Sequence, residues 1–160
     1  MVKSLVAYFS ASGVTKGMAQ KLAEVTGSEI YEIQPAVPYT SADLDWLDRN
    51  SRTTLEMRDK NSRPEIKDID AKIENYDVIF LGFPIWWYIA QTIINTFLEK
   101  YDFSNKKIVL FATSGGSGFG EAVKHLKPSV ADSCEIIECR LLSRGTSSED
   151  IKNWVESLNL

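Results

Sequence analysis

The chain has 160 residues, of which 44% are hydrophobic and 25% charged. This length and composition are typical of one folded domain with a single core, so we predict one domain over residues 1–160. The net charge of −4 argues against a nucleic-acid partner, because such partners require a basic face. No apolar run reaches the length of a membrane span, and the chain begins directly with a strand pattern. We therefore expect a cytoplasmic protein with no membrane partner and no signal peptide.

Strand and helix patterns alternate along the chain. Strand patterns occur at residues 4–9, 28–33, 77–83, 107–113 and 135–142. Helical spacing of apolar residues follows each of them, at 14–25, 40–60, 93–101, 119–126 (limited by Pro128) and 148–158. Five strands alternating with five helices predict an α/β fold, a doubly wound five-stranded parallel sheet flanked by helices. In such folds the ligand lies beyond the carboxyl ends of the strands, at the switch point.

The least regular of these predicted helices runs from Thr40 to Lys60. It begins with a capping-box pattern at residues 40–43 and becomes polar, with arginines and acidic residues interleaved. We interpret this stretch as a solvated face rather than a binding patch.

A loop of small hydroxyl residues joins the first strand to the first helix, at residues 10–15 (Ser-Ala-Ser-Gly-Val-Thr). The first N–H groups of a helix have no partners within it, and the positive end of the helix dipole lies there. Hydroxyls and a glycine at this junction predict an anion site, with phosphate as the expected ligand. The alternative is that Ser10 or Ser12 caps the helix while Gly13 eases the turn. These residues alone leave both interpretations open.

An aromatic loop follows the third strand, with Trp86, Trp87 and Tyr88 in sequence. Consecutive side chains alternate in an extended segment, so the two tryptophans cannot both point inward. At least one is then free to stack on a planar ligand. Packing over a neighbouring loop, or against a partner, is the alternative.

A glycine-dense loop follows the fourth strand, at residues 114–118 (Ser-Gly-Gly-Ser-Gly). Glycine allows backbone amides to approach the polar edge of a ligand closely, although a plain flexible loop would have the same composition. Neither glycine-containing loop fits G-x-G-x-x-G or the P-loop pattern, which disfavours those two nucleotide cradles.

Side chains that could carry chemistry by themselves are few. Cys134 and Cys139 lack C-x-x-C spacing, and their odd separation near one strand predicts no disulfide. His125 is the single histidine, which we place on a helix surface; a metal site needs more ligands. Tyr8 and Tyr88 could donate protons, but no pattern singles them out. We predict no metal site and no catalytic set, so that any chemistry comes from a cofactor.

Three motifs, in order along the chain, resemble those of the flavodoxin family, in particular its short bacterial members. They are YFSASGVT at residues 8–15, DVIFLGFPIWW at 77–87 and FATSGGSG at 111–118. The resemblance extends over essentially the whole chain, and it implies a flavodoxin-like fold and FMN as the cofactor.

The resemblance also implies which residues bind FMN. Those implied to hold the 5′-phosphate are Ser10, Ser12, Gly13, Val14 and Thr15. Those implied to flank one side of the isoalloxazine ring are Pro84, Ile85, Trp86, Trp87 and Tyr88. Those implied to contact its other side or its pyrimidine edge are Ser114, Gly115, Gly116, Ser117 and Gly118. One departure concerns the second loop, which lacks the glycine whose peptide hydrogen-bonds flavin N5 in many flavodoxins.

The leading functional hypothesis is electron transfer through non-covalently bound FMN, with a redox partner protein or a small-molecule electron acceptor. The alternative is an NAD(P)H-dependent FMN oxidoreductase resembling quinone reductases, which suits the missing glycine and the aromatic loop. A receiver-like signalling domain would share the fold. It would need an acidic cluster after the first strand and an aspartate after the third, where Ser10 and Pro84 stand.

Overall fold

A computed structural model describes residues 3–10, 13–45, 47–59, 61–67, 70–84, 91–113, 122–141 and 146–158, with the backbone alone at 138–141. The strands are β1 (Ser4–Tyr8), β2 (Glu29–Glu32), β3 (Gln34–Pro35), β4 (Ile66–Lys67), β5 (Val78–Pro84), β6 (Lys107–Thr113) and β7 (Glu135–Leu141). The helices are α1 (Val14–Thr26), α2 (Arg52–Arg58), α3 (Thr92–Lys100), α4 (Ala122–Leu126) and α5 (Ser148–Ser157). Two 3₁₀ turns lie at Ile73–Asn75 and Lys127–Ser129.

Five of the strands form one parallel sheet in the order β2-β1-β5-β6-β7. The predicted doubly wound five-stranded α/β fold is therefore confirmed, and each predicted strand of this sheet differs from the observed one by at most one residue at either end. From β1 the chain passes to β2 on one side and then crosses to β5 on the other, so the winding reverses between β1 and β5.

Helices cover both faces of the sheet. On one face, Met18 and Leu22 of α1 and Trp154 of α5 pack in one cluster with side chains of β1, β5 and β6. On the other face, Phe97 of α3 and Leu126 of α4 pack with the alternate residues of the same strands. Because β5 is buried on both faces, it reads in the sequence as a continuous apolar run rather than an alternating one. Within the described residues, no helix is both long and apolar enough to cross a membrane.

The sheet ends on one side at β2, which has only four residues. Glu29 and Ile30 are exposed there, Ile30 to 44%. Tyr31 and Glu32 are partly covered, so burial increases along β2 toward its carboxyl end.

The helix predicted from Thr40 to Lys60 is wrong over most of its length. The capping-box hydrogen bonds do form, since the N–H of Thr40 donates to Asp43 Oδ2 (3.0 Å) and the N–H of Asp43 donates to Thr40 Oγ1 (3.1 Å). The carboxylates of Asp45 and Asp48 then each accept a hydrogen bond from the N–H two residues ahead. Such local bonds compete with the helical backbone pattern. The segment therefore turns, and helix is described only over α2.

A two-stranded antiparallel ribbon, β3 with β4, was not predicted. Gln34 pairs with Lys67 and Pro35 with Ile66. Pro35 has no N–H to donate, but a short strand outside the main sheet tolerates such a residue. The backbone N–H of Ala36 extends the pairing by donating to the carbonyl of Glu65 at 2.8 Å.

Candidate functional site

The three loops predicted to form a site start from one edge of the sheet. β1, β5 and β6 are adjacent and parallel, and Tyr8 pairs with Gly82 while Pro84 pairs with Thr113. The segments that follow these strands therefore leave the sheet side by side, where the winding reverses between β1 and β5. This is the place at which ligands bind in open α/β sheets.

The start of α1 is a helix terminus with no capping side chain. Its N-cap is Gly13, which has a φ of 90° and a left-handed conformation, whereas Ser10 Oγ accepts a hydrogen bond from the Gly13 N–H (3.0 Å). The first helical hydrogen bond runs from Gly17 N–H to the Gly13 carbonyl (3.1 Å). The preceding N–H groups, at residues 14–16, have no carbonyl partner within the helix. Ser10 thus stabilises the turn and does not occupy the N-cap, whereas Ser12, the other residue of the capping alternative, lies outside the described residues.

A buried hydrogen bond joins the first loop to the third. Thr15 Oγ1 lies 2.8 Å from Thr113 Oγ1, and both residues are buried. Thr15 is in the first turn of α1 and Thr113 is the last residue of β6, immediately before the glycine-dense loop. The distance between the first and third loops is therefore fixed at their bases.

The base of the second loop is also fixed. Gln91, the N-cap of α3, donates from Nε2 to the carbonyl of Pro84 at 2.5 Å, which joins the two ends of the aromatic loop. Gln91 is 2% exposed, and its Oε1 has no hydrogen-bond partner among the described residues. A buried acceptor without a donor costs about 1–3 kcal/mol, so this oxygen is available to an N–H group placed near it.

The sheet beneath the site is closely packed at Gly82. A Cβ at Gly82 would lie 2.2 Å from Cζ of Phe111, whose ring is fully buried. Only glycine permits the Phe111 ring to lie this close to the backbone of β5, two residues before the aromatic loop begins.

The remaining predicted site residues lie outside the described residues. They are Ser12, residues 85–88 and residues 114–118. Their predicted contacts with a ligand stay predictions.

Among the titratable groups near the site, Tyr8 has a pKa that departs from its ordinary value. Burial, with a further contribution from the Glu32 carboxylate, raises the pKa of Tyr8 to about 12, so its phenol stays neutral at physiological pH. At the opposite edge of the sheet, before β7, burial raises the pKa of the free thiol of Cys134. His125, predicted on a helix surface, is partly buried, with Nε2 enclosed. In the part of the chain that the structure describes, no cluster of side chains has the composition of a metal site.

Sequence reasoning missed a cleft on the β2 side of the site. It has a volume of about 230 Å³ and lies beside the first loop, with Ser10 in its wall. Its other lining residues are Phe9, Glu32, Gln34, Pro35, Pro38, Tyr39 and Lys67. The cleft depends on the β3–β4 ribbon, which the sequence pattern did not indicate. The one available signal was an acidic residue at the carboxyl end of β2.

A doubly wound parallel sheet with the start of its first helix at the switch point is the architecture of many α/β proteins that bind phosphorylated ligands there. A family model described as Flavodoxin matches residues 3–158. The chain belongs to the flavodoxin family. No curated protein matches its sequence.

Solved structures of similar proteins agree with this assignment. A candidate flavoprotein from Bacteroides eggerthii is 45% identical, with a TM-score of 0.90 over 100% of this chain and 99% of that one. A candidate flavoprotein from Bacteroides uniformis is 46% identical, with a TM-score of 0.87 over 97% and 98% of the two chains. A flavoprotein from Lactobacillus acidophilus, solved in complex with FMN, is 27% identical, with a TM-score of 0.68 over 97% and 99%.

Proposed function

We propose that this protein binds FMN non-covalently at the switch point and transfers electrons through it. The observation that carries the proposal is the start of α1, where a left-handed glycine leaves the terminal N–H groups without a capping side chain. Family membership and the similarity to a flavoprotein crystallised with FMN support the choice of cofactor. The electrons would pass to a redox partner protein or to a small-molecule acceptor.

The described residues fit a phosphorylated flavin. The N–H groups at residues 14–16 and the positive end of the helix dipole suit a phosphate dianion. A Cβ at Gly13 would meet no described residue within 4 Å, which leaves room beside the described backbone for a phosphate group. At the base of the second loop, Gln91 Oε1 offers an acceptor that the described residues leave without a donor.

Three sets of residues would hold the cofactor. The phosphate would lie against Ser10, Ser12, Gly13, Val14 and Thr15. The loop of Pro84, Ile85, Trp86, Trp87 and Tyr88 would flank one side of the ring. The loop of Ser114, Gly115, Gly116, Ser117 and Gly118 would contact its other side or its pyrimidine edge.

When bound, the flavin supplies the electron transfer, and the protein binds and orients it. The hydrogen bond between Thr15 and Thr113 keeps the phosphate loop and the glycine-dense loop at a constant separation. The bond from Gln91 to Pro84 does the same for the two ends of the aromatic loop. Tyr8, held neutral at the end of β1, adds no negative charge beneath the site.

The visible spectrum of the purified protein tests the cofactor. Flavin absorption bands, present on purification or after incubation with FMN and removal of the excess, are the expected result. Their absence after incubation contradicts the proposal. Reductive titration then tests the type of transfer, since a one-electron carrier accumulates the one-electron-reduced flavin. If none accumulates, two-electron chemistry replaces the carrier function.

A second candidate function is reduction of a quinone by NAD(P)H through the same FMN. The cleft beside Ser10 favours it, because it adjoins the phosphate end of the cofactor and can hold the non-reacting end of a dinucleotide whose nicotinamide lies against the flavin ring. Steady-state oxidation of NADH or NADPH in the presence of a quinone distinguishes the two functions. A rate no higher than that of free FMN rejects the enzyme.

A further inference from the structure

The cleft on the β2 side is a candidate site for a second ligand group. It lies beyond the carboxyl ends of β1 and β2, between Phe9 and Ser10 on one side and the β3–β4 ribbon on the other. Drug-sized ligands fill roughly 300–1,000 Å³, so a volume of about 230 Å³ suits one part of a larger ligand. Because Ser10 belongs to both the cleft and the phosphate loop, the two sites adjoin.

The aromatic wall of the cleft is held in place by contacts outside it. The Tyr39 hydroxyl donates to Glu56 Oε1 (2.5 Å), and the guanidinium carbon of Arg52 lies 4.0 Å from the centre of the Tyr39 ring. Arg52 in turn bonds Glu56, with Nε 3.2 Å from Oε2. Phe9 packs edge-on against Tyr39, with ring centroids 5.8 Å apart. The wall therefore exists before any ligand arrives.

The polar groups of the cleft retain hydrogen-bonding capacity. Glu32 accepts one hydrogen bond from Gln34 Nε2 at 3.3 Å and faces the Tyr8 hydroxyl, yet a carboxylate has about four lone-pair positions. Lys67 is exposed on β4, and no ion pair involving it occurs among the described residues. The cleft is thus lined by a carboxylate, a cation and an apolar wall.

We propose that this cleft binds the adenosine part of a nucleotide, with Glu32 accepting hydrogen bonds from its ribose hydroxyls. Glu32 is the last residue of β2 and lines the cleft together with Ser10 of the first loop. A carboxylate at the end of the second strand binds ribose hydroxyls in the dinucleotide folds that carry G-x-G-x-x-G. This chain lacks that motif, so the placement of Glu32 in the wall of the cleft, and not a sequence fingerprint, points to the ribose. Tyr39 and Pro38 provide an apolar wall for the base, and Lys67 a cation for a phosphate.

The proposal rests on the proposed function, because FMN then occupies the phosphate loop next to the cleft. The same adenosine chemistry has two possible sources. It belongs either to a separate nucleotide bound beside FMN, such as a nicotinamide dinucleotide, or to the AMP half of FAD bound in place of FMN.

The first test titrates the FMN-loaded protein with AMP and with 2′-deoxy-AMP, using calorimetry. AMP is expected to bind without displacing the flavin, and 2′-deoxy-AMP about tenfold more weakly, because a hydrogen bond to a carboxylate is lost. Glu32→Gln should reduce this discrimination, whereas Glu29→Gln, on the exposed start of the same strand, should preserve it. Equal binding of the two nucleotides to the unmodified protein overturns the role of Glu32 without relying on any variant.

The second test titrates the flavin-free protein with FMN and with FAD. If the adenosine is that of FAD, FAD binds more tightly than FMN, and Glu32→Gln removes the difference. A protein that shows neither AMP binding in the FMN-loaded form nor a preference for FAD has no adenosine site. Failure of FMN itself to bind is measured separately, by absorption, and rejects the proposed function instead.

Discussion

Replacing Gly13 by aspartate places a carboxylate beside the proposed phosphate. A Cβ at this position meets nothing within 4 Å among the described residues, so overlap of the Cβ does not contribute to the effect. A phosphate bonded to the N–H groups at residues 14–16 lies roughly 5 Å from the new carboxylate, a distance comparable to one helical turn. At an effective dielectric constant of about 20, each pair of unit charges at that separation repels by about 3 kcal/mol. Since 1.4 kcal/mol is tenfold, we expect FMN to bind at least about a hundredfold more weakly.

Two control variants separate charge from backbone strain. Gly13→Asn is neutral, and asparagine tolerates a positive φ better than most residues, so its loss of affinity should be much smaller. Gly27→Asp introduces the same side chain at the other end of α1, where φ is 67° and the phosphate is about 20 Å away. It should leave FMN affinity unchanged. The measurement is quenching of flavin fluorescence during titration. If Gly13→Asp binds FMN as tightly as Gly13→Asn, or if Gly27→Asp weakens binding equally, the phosphate site does not lie at this terminus.

Two further predictions concern stability. Gly82→Ala should lower the free energy of unfolding in urea by about 1–3 kcal/mol, because its methyl group would lie 2.2 Å from Cζ of Phe111. Gly17→Ala, exposed on α1 with open space around it, should raise that free energy by up to about 1 kcal/mol, and equal midpoints for the two variants would contradict the packing argument. The hydrogen bond from Arg63 to Glu99 (3.0 Å) holds the pKa of the Glu99 carboxyl below its usual value. A carboxyl whose pKa is lowered by folding stabilises the protein at a pH above its unfolded-state pKa, and this stabilisation is lost as the pH falls. The difference in the free energy of unfolding between the unmodified protein and Glu99→Gln should therefore shrink from about pH 7 to about pH 3. A difference that is independent of pH contradicts this assignment.

The sheet was predictable because its strands are specified by local composition. Residues 78–84 and 107–113 form continuous apolar runs, and such runs have one stable place, in the middle of a sheet covered on both faces. The stretch 40–60 was not predictable from the same kind of pattern. Its capping box formed as expected, but the carboxylates of Asp45 and Asp48 bonded the backbone two residues ahead and turned the chain.

The candidate site likewise has one part that could be predicted from the sequence and another that could not. The junction at residues 10–15 was identifiable, because a hydroxyl- and glycine-rich turn between a strand and a helix has a local physical meaning. The contacts that fix the site are not local. Thr15 meets Thr113 across 98 positions of sequence, and Gln91 reaches back to Pro84 from the far end of a loop. Sequence patterns do not reveal such pairs. The cleft by Glu32 depends on the pairing of β3 with β4, whose residues are also far apart in sequence.

The short outer strand β2 also bears on how this protein behaves at high concentration. Its sequence, Glu29-Ile30-Tyr31-Glu32, has a carboxylate at each end of an apolar pair. If two copies paired along this edge in the parallel direction, each glutamate would face its own counterpart. In the antiparallel direction, Glu29 of one copy would face Glu32 of the other. Like charges directly opposite one another destabilise a strand pair, so both fully aligned ways of extending the sheet from β2 into a second molecule are opposed. The two glutamates thus disfavour dimerisation through the β2 edge, even though Ile30 is exposed to solvent there.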